Sequence, residues 1–405
     1  MSTSLYPNIS ERSILLIVGM VQFVNILDFM MVMPLGPDFG QVLGIANTDL
    51  GWIGGSYTAA SAVAGIISST FIDRLDRKTA LLVAIFGLIV ATTLGGFAWN
   101  FHSLLACRIL AGLFGGPATS IAWSIVADTV PPERRGEAMG KVMGAFSLAA
   151  VFGVPFGLEM AHLDKWSTPF FCTSLMGCGV MLIAYKLMPA MRAHLALHVH
   201  QHVSLRYLLH LALKPLNALT YFYIILAMLA SFMIIPNISA YVQFNLHYPR
   251  ANLGWLYSIG GMVSFFTLRI TGKLIDRLNA STTSFISMLT YITVLWLTFI
   301  RPLHHMSVMM FFTLFMFAMG MRNVSSTTLA TKIPTPEERA GFMSLMSCVQ
   351  GAGMAAGAFL STKLLTENND GSLNGMEILA VIAAAISLLV PVLMRLVEQN
   401  LAKPQ

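Results

Sequence analysis

Charge is what this chain has least of. Only 10% of its 405 residues are Asp, Glu, Lys or Arg, against about 25% in an ordinary soluble protein. A water-facing surface cannot be covered from that supply, so a soluble globular domain is excluded. Catalytic equipment is also missing. There is no Gly-X-X-X-X-Gly-Lys-Ser/Thr phosphate loop, which argues against work driven directly by ATP within this chain. No His-Glu-X-X-His, no Gly-X-Ser-X-Gly and no zinc-type cysteine pair occurs either. The expectation is therefore a protein that is not an enzyme and carries no cofactor and no metal. The four cysteines, Cys107, Cys172, Cys178 and Cys348, all fall in apolar stretches, where thiols pack as small apolar groups; no disulfide is expected. No small-residue cleavage site follows the first apolar run, itself a full span, so that run is read as a retained helix and not as a signal peptide.

What the chain has in abundance is hydrocarbon. Hydrophobic residues make up 56% and the mean hydropathy is +0.73. Apolar stretches of membrane-crossing length recur twelve times, the first at about 13–36, separated by short polar connections. The lipid bilayer is thus the chain's environment. Of the 24 Lys and Arg, only Lys165, Arg250, Arg301 and Lys363 fall on the connections of one side, and Arg108 and Arg322 fall inside the membrane. The remaining eighteen lie on the other side, which the positive-inside rule makes cytoplasmic, with both termini there. The net charge of +6 therefore reflects topology. No nucleic-acid partner is expected, because alternating loops do not form one basic surface.

The chain also repeats itself. Leu50-Gly51-Trp52 returns as Leu253-Gly254-Trp255 and Ile72-Asp73-Arg74-Leu75 as Ile275-Asp276-Arg277-Leu278, both 203 residues later. Pro132-Glu133 and Arg135 return as Pro336-Glu337 and Arg339 after 204. A repeat of half the chain in a membrane protein is the plan of transporters built from two parallel six-helix halves. The organisation read from it is an all-α membrane protein: an N-terminal bundle over 1–189, a cytoplasmic amphipathic linker over 190–215 and a C-terminal bundle over 216–405. His194, His198 and His202 in the linker share one helical face, a metal-ligating spacing. No carboxylate or cysteine completes a site, so a solvated linker lying along the membrane surface is favoured.

The residues from Ser69 to Lys78, Ser-Thr-Phe-Ile-Asp-Arg-Leu-Asp-Arg-Lys, resemble the Gly-X-X-X-Asp-Arg-X-Gly-Arg-Lys loop of the major facilitator superfamily, with both glycines replaced. Within that family the chain resembles the twelve-helix bacterial drug:proton antiporter group. The resemblance implies a gating loop built on Asp73, Arg74 and Arg77, with Asp276 and Arg277 as its degenerate second copy. Asp73 would meet the start of the eleventh helix near Gly341, and Arg77 would pair with Asp128. Arg108-Ile109-Leu110-Ala111-Gly112 resembles the family's Arg-X-X-X-Gly motif, associated with proton coupling. Gly153, Pro155 and Gly157 in the fifth helix resemble, in shortened form, the antiporter motif of its exporting branches.

Individual residues support a site independently of the family. Asp28 lies deep in the first span, where an unpaired charge is costly, so it reads either as a proton relay or as the permanent partner of a cation such as Arg108. Arg108 faces a carboxylate or cavity, or reaches the membrane interface. Glu159, near the outer end of the fifth span, is a proton site or an interfacial residue. Arg322, in a polar run of the tenth span, reads as a cationic centre of the cavity or as a residue reaching toward the cytoplasmic gate. Asn25, Tyr57, Trp123 and Gln350 are candidate cavity walls, and the 27 methionines suit ligands of varied shape. Together these indicate a secondary transporter moving a small-molecule substrate with protons: a monomeric, proton-coupled exporter of small amphipathic compounds in a bacterial inner membrane. The alternatives are an importer of a sugar or organic anion, and a receptor that keeps the bundle without turnover.

Overall fold

The computed structural model describes residues 10–69, 71, 74–131, 134–192, 205–301, 307–335 and 338–401. Among these, twelve helices are long and apolar enough to span a membrane. They are α1 (Glu11–Val32), α2 (Asn47–Ser69), α3 (Arg77–Gly96), α4 (Phe101–Thr129), α5 (Glu137–Leu163) and α6 (Thr168–Leu187), then α7 (Pro215–Asn245), α8 (Arg250–Leu278), α9 (Ala280–Ile300), α10 (Val308–Ala330), α11 (Gly341–Leu364) and α12 (Met376–Leu401). An even number of crossings puts both ends of the chain on one side, termed the terminal face; the other is the distal face.

Local chemistry sets the helix ends. Asn100 and Ser103 form a capping box at the start of α4, and Ser10, Asp76, Asn279 and Ser307 cap α1, α3, α9 and α10 through side-chain oxygens. Asp76 and Asn279 are 203 residues apart, so the repeat conserves the cap position. Asp76 also accepts from the Met191 amide and Arg192 Nε, tying the start of α3 to the end of α6. Burial pushes this carboxyl up, but the bonds from Arg192, Met191 and Lys78 outweigh it and hold it below its usual range. The tie is therefore intact at neutral pH and is lost only as pH falls through that lowered value.

Several boundaries differ from the sequence expectation. α1 stops at Val32, and the chain turns through Met33–Leu35 before a short helix, Gly36–Leu43, because Pro34 cannot donate into a continuing ladder and Pro37 suits a helical first turn. α8 runs on to Leu278, so Asp276 and Arg277 lie exposed in its last turn and not in a loop. Residues 193–204 of the expected linker, including the three spaced histidines, lie outside the described residues. Its end forms a helix, Leu205–Leu213, whose Leu208 and Leu211 are buried in the second bundle's core and pack beside Gly341 of α11.

Among the described residues, the apolar core shared by the two bundles lies toward one end. Near the distal face a single core joins Leu27, Met31, Leu35, Leu50 and Ile53 to Ile234, Leu253, Leu256 and Leu365. Toward the terminal face it splits into one cluster around Ile14, Val21, Ile85 and Ile125 and another around Ile224, Ile275, Leu329 and Phe342. The first Leu-Gly-Trp string marks one crossing, and the tight crossing of α8 falls at Gly261, beyond the second string. A Cβ at Gly51 would land on the Ala358 carbonyl of α11, and one at Gly55 on the Phe359 ring; Gly261 of α8 lies equally close to the backbone of Ala150 and Val151 in α5. Gly140 and Gly144 of α5 and Gly272 of α8, nearer the terminal face, look onto open space. Among the described residues, the bundles share a core distally and pack around separate cores toward the termini.

Gly51→Val should force α2 and α11 apart at the cost of about 1–3 kcal/mol of overpacking and lower the thermal midpoint of the detergent-solubilised protein by several degrees. Gly140→Val, facing open space, should leave the midpoint close to that of the unmodified chain.

Candidate functional site

Helix packing in the first bundle brings four polar elements to one point. Gly112 and Gly116 of α4 let it lie directly on the α2 backbone: a Cβ on the first would strike the Tyr57 carbonyl and on the second the Ser61 carbonyl. Gly115 between them leaves room for the Tyr57 hydroxyl and the Asn25 amide. Arg108 lies one turn before Gly112 on the same helix and does not extend toward the membrane interface. It turns inward to Asp28, and both are fully enclosed, at 1% and 0% exposure.

Arg108 Nη1 donates to Asp28 Oδ1 and Oδ2 at 3.1 and 3.0 Å, and Nη2 to the Asp28 carbonyl at 3.3 Å. The guanidinium lies 4.7 Å from the centre of the Tyr57 ring, a cation–π contact. Tyr57 donates to Asn25 Oδ1 at 2.9 Å, and Asn25 donates to the Gly115 carbonyl and to Thr119 Oγ1 at 3.1 and 2.9 Å. Arg108 Nε is buried with no protein partner. Thr92 Oγ1 of α3 is 2.7 Å from Asp28 Oδ1 and 2.8 Å from the Leu88 carbonyl. Its single proton serves one acceptor at a time. An ionised Asp28 takes it, whereas a protonated Asp28 can donate to Thr92 while Thr92 turns to Leu88. Thr92 thus offers the carboxyl a hydrogen bond whether charged or neutral, while the Arg108 guanidinium is balanced only when it is charged.

The site also touches the other bundle. Phe29 stacks on Tyr57 at 5.2 Å and approaches Phe232 of α7 at 6.3 Å, so one aromatic row runs from the Arg108 guanidinium to the seam between the halves.

Arg322 of α10 sits in a second enclosed cluster. Nη1 donates to Ser387 Oγ of α12 at 3.0 Å, Nη2 bonds Ser231 Oγ of α7, and the guanidinium lies 4.5 Å from the Tyr291 ring of α9. It is buried among four helices and does not line an open wall; its partners here are hydroxyls, sulfur and a ring, with no carboxylate in ion-pair reach among the described residues.

The remaining candidates are dispersed. Arg77 Nε meets Asp128 Oδ2 at 3.0 Å, the pairing anticipated from the loop resemblance. Asp73 lies outside the described residues, and Arg74, Asp276 and Arg277 are exposed. Glu159 is exposed near the distal end of α5, away from the buried pair. Gly153 packs on Leu27 and Gly157 on Met31, while the Pro155 carbonyl faces Gly254 across the seam, so this motif seats α5 between α1 and α8. Trp123 and Gln350 are half-buried, the former packed on the first bundle's terminal-side core. Sequence reasoning missed Thr92, Thr119, Ser231, Tyr291 and Ser387: hydroxyls and phenols within apolar helices carry no signal until a neighbouring helix supplies the charge. Among the described residues no group of three or more His, Cys, Asp or Glu could hold a metal.

Twelve spans in two bundles that share one distal core, with a charge pair buried inside the first bundle, define a multi-pass membrane protein. The sequence model of the Major Facilitator Superfamily matches residues 18–219 and again 220–404, and the chain belongs to that superfamily. The multidrug export protein EmrB of Haemophilus influenzae is 25% identical over 206 residues, covering 50% of this chain and 40% of that protein. The D-galactonate transporter of Escherichia coli is 26% identical over 146 residues, covering 36% and 34%. The chain thus aligns with under half the length of these curated relatives. A bacterial homologue of the human lysosomal transporter Spinster, in an inward-facing and occupied conformation, superposes with a TM-score of 0.77 over 97% of each chain at 15% identity, which is a likeness of fold.

Removing the charge of Asp28 alone strands a buried guanidinium, a loss of about 3–5 kcal/mol. Asp28→Asn should therefore lower the unfolding midpoint markedly, and the double variant Asp28→Asn/Arg108→Gln should recover most of that loss when both are measured by thermal unfolding in detergent.

Proposed function

We propose that this protein is a proton-coupled exporter of small amphipathic compounds, working by alternating access in a bacterial cytoplasmic membrane with its terminal face in the cytoplasm. The observation that carries the reading is the Asp28–Arg108 pair: one carboxyl and one guanidinium, enclosed together and joined through Tyr57 and Phe29 to the seam that must open. A proton arriving on Asp28 cancels the attraction holding α1 to α4 and is accommodated by Thr92; its departure restores the ion pair. A change of packing at the Phe29–Phe232 contact is the means by which substrate occupancy and proton occupancy affect each other. The terminal side, where the bundles pack around separate cores, offers entry to compounds from the cytoplasm, and the excess of Lys and Arg on terminal-face connections supports that orientation. Export is favoured by the α5 Gly153/Pro155/Gly157 packing motif and by similarity to a multidrug exporter. A monomer suffices, because the site is built within one chain.

A second reading, import of an organic anion, draws on Arg322, whose described partners include no carboxylate, and on similarity to a D-galactonate transporter.

Proteoliposomes with an internal pH dye separate the two. Lipophilic cations should trigger proton movement in wild-type protein and at least tenfold less in Asp28→Asn. A response confined to organic anions, retained in Asp28→Asn and lost in Arg322→Gln, would replace the exporter reading with the importer.

A further inference from the structure

The distal seam carries polar bonds between the two bundles, and they fall at positions related by the internal repeat. Asn47 and Arg250 are 203 residues apart and each opens a short turn at the head of its helix, Asn47–Asp49 for α2 and Arg250–Asn252 for α8. Each is gripped by a carboxylate from the opposite half. Asp38, on the short helix Gly36–Leu43, accepts from Arg250 Nε and Nη2 at 2.7 Å each, and Arg250 Nη2 also donates to the Leu158 carbonyl at 3.0 Å. Glu367, in the α11–α12 connection, accepts from the Asn47 amide at 2.6 Å and from Asn47 Nδ2 at 2.9 Å. The second contact places an anion on the exposed amides at the start of α2, where the helix dipole favours it.

The Glu367 side is built as a strap. Thr366–Glu367 pairs antiparallel with Leu373–Asn374, and Gly371, at φ +83°, turns the hairpin so that its carbonyl accepts from Asn47 Nδ2 at 3.0 Å. Asn245 at the end of α7 holds the other strand, exchanging both bonds with Leu373 at 2.9 Å. The hairpin thus spans from α7 of one bundle to α2 of the other.

We infer that the distal gate is held shut by this matched pair of carboxylate latches, Asp38 on Arg250 and Glu367 on Asn47, and that opening toward the distal face requires both to release. Bidentate, charge-assisted bonds of this kind are roughly twice as strong as neutral ones, such as the buried bond from Ser239 Oγ to the Pro34 carbonyl at 2.8 Å in the otherwise apolar seam beneath them. The inference concerns gating and stands whichever way substrate moves.

Ser361 of α11 is fully buried against Gly51 and reports the seam. In a Ser361→Cys background, maleimide labelling above that of the four native cysteines should rise about fivefold to tenfold in Asp38→Asn or Glu367→Gln. The double variant should rise further. Reversing the pair, Asp38→Arg with Arg250→Asp, should return labelling to within about twofold of the parent and shows that the contact, not foldedness, is read. Labelling unchanged in the double variant, or still raised in the reversed pair, would overturn the inference.

Discussion

A carboxylate and a guanidinium enclosed in hydrocarbon offset each other's cost of burial, and that mutual dependence organises the first half of this molecule. Separately, either charge costs several kcal/mol to bury. Together, Asp28 and Arg108 satisfy each other at 3.0 Å and need the rest of the site only to hold them in register. The glycines of α4 permit the approach of α2, Tyr57 covers the guanidinium, and Asn25 and Thr119 fix Tyr57. Thr92 adds a hydroxyl that can donate to the carboxyl when it is charged or accept from it when neutral.

The same economy of charge shapes the distal side. The bundles adhere there through one apolar core crossed by polar bonds, two of them built on carboxylates, while toward the termini each bundle closes on its own core. A molecule held at one end can part at the other without exposing new buried surface at the hinge. The aromatic row from Tyr57 through Phe29 to Phe232 links the charge pair to the seam.

Much of this was legible in the chain. The twelve spans follow from apolar run lengths, and the two-bundle plan from Leu-Gly-Trp and Ile-Asp-Arg-Leu recurring at a fixed offset. The first of those strings, in its first copy, turned out to mark a place where the bundles touch, since Gly51 is the residue a close crossing requires. Asp28 and Arg108 stood out because charge is rare in such helices. What could not be read was direction. A buried arginine pointing inward and one pointing to the membrane surface look alike in sequence, and Arg322 is enclosed by α7, α9 and α12 through partners that are ordinary serines and a tyrosine. Asp38 and Glu367 were illegible for the opposite reason: acids in outer connections are common, and only the fold shows that these two reach across the seam.

The most direct test of the account is infrared difference spectroscopy of the purified protein, following the carboxyl C=O stretch as a candidate substrate such as a lipophilic cation is added. The Asp28–Arg108 account predicts that a protonated-carboxyl band changes on substrate addition and that the change is absent in Asp28→Asn. A substrate-induced band that persists unaltered in Asp28→Asn, or transport without any such band, would contradict it.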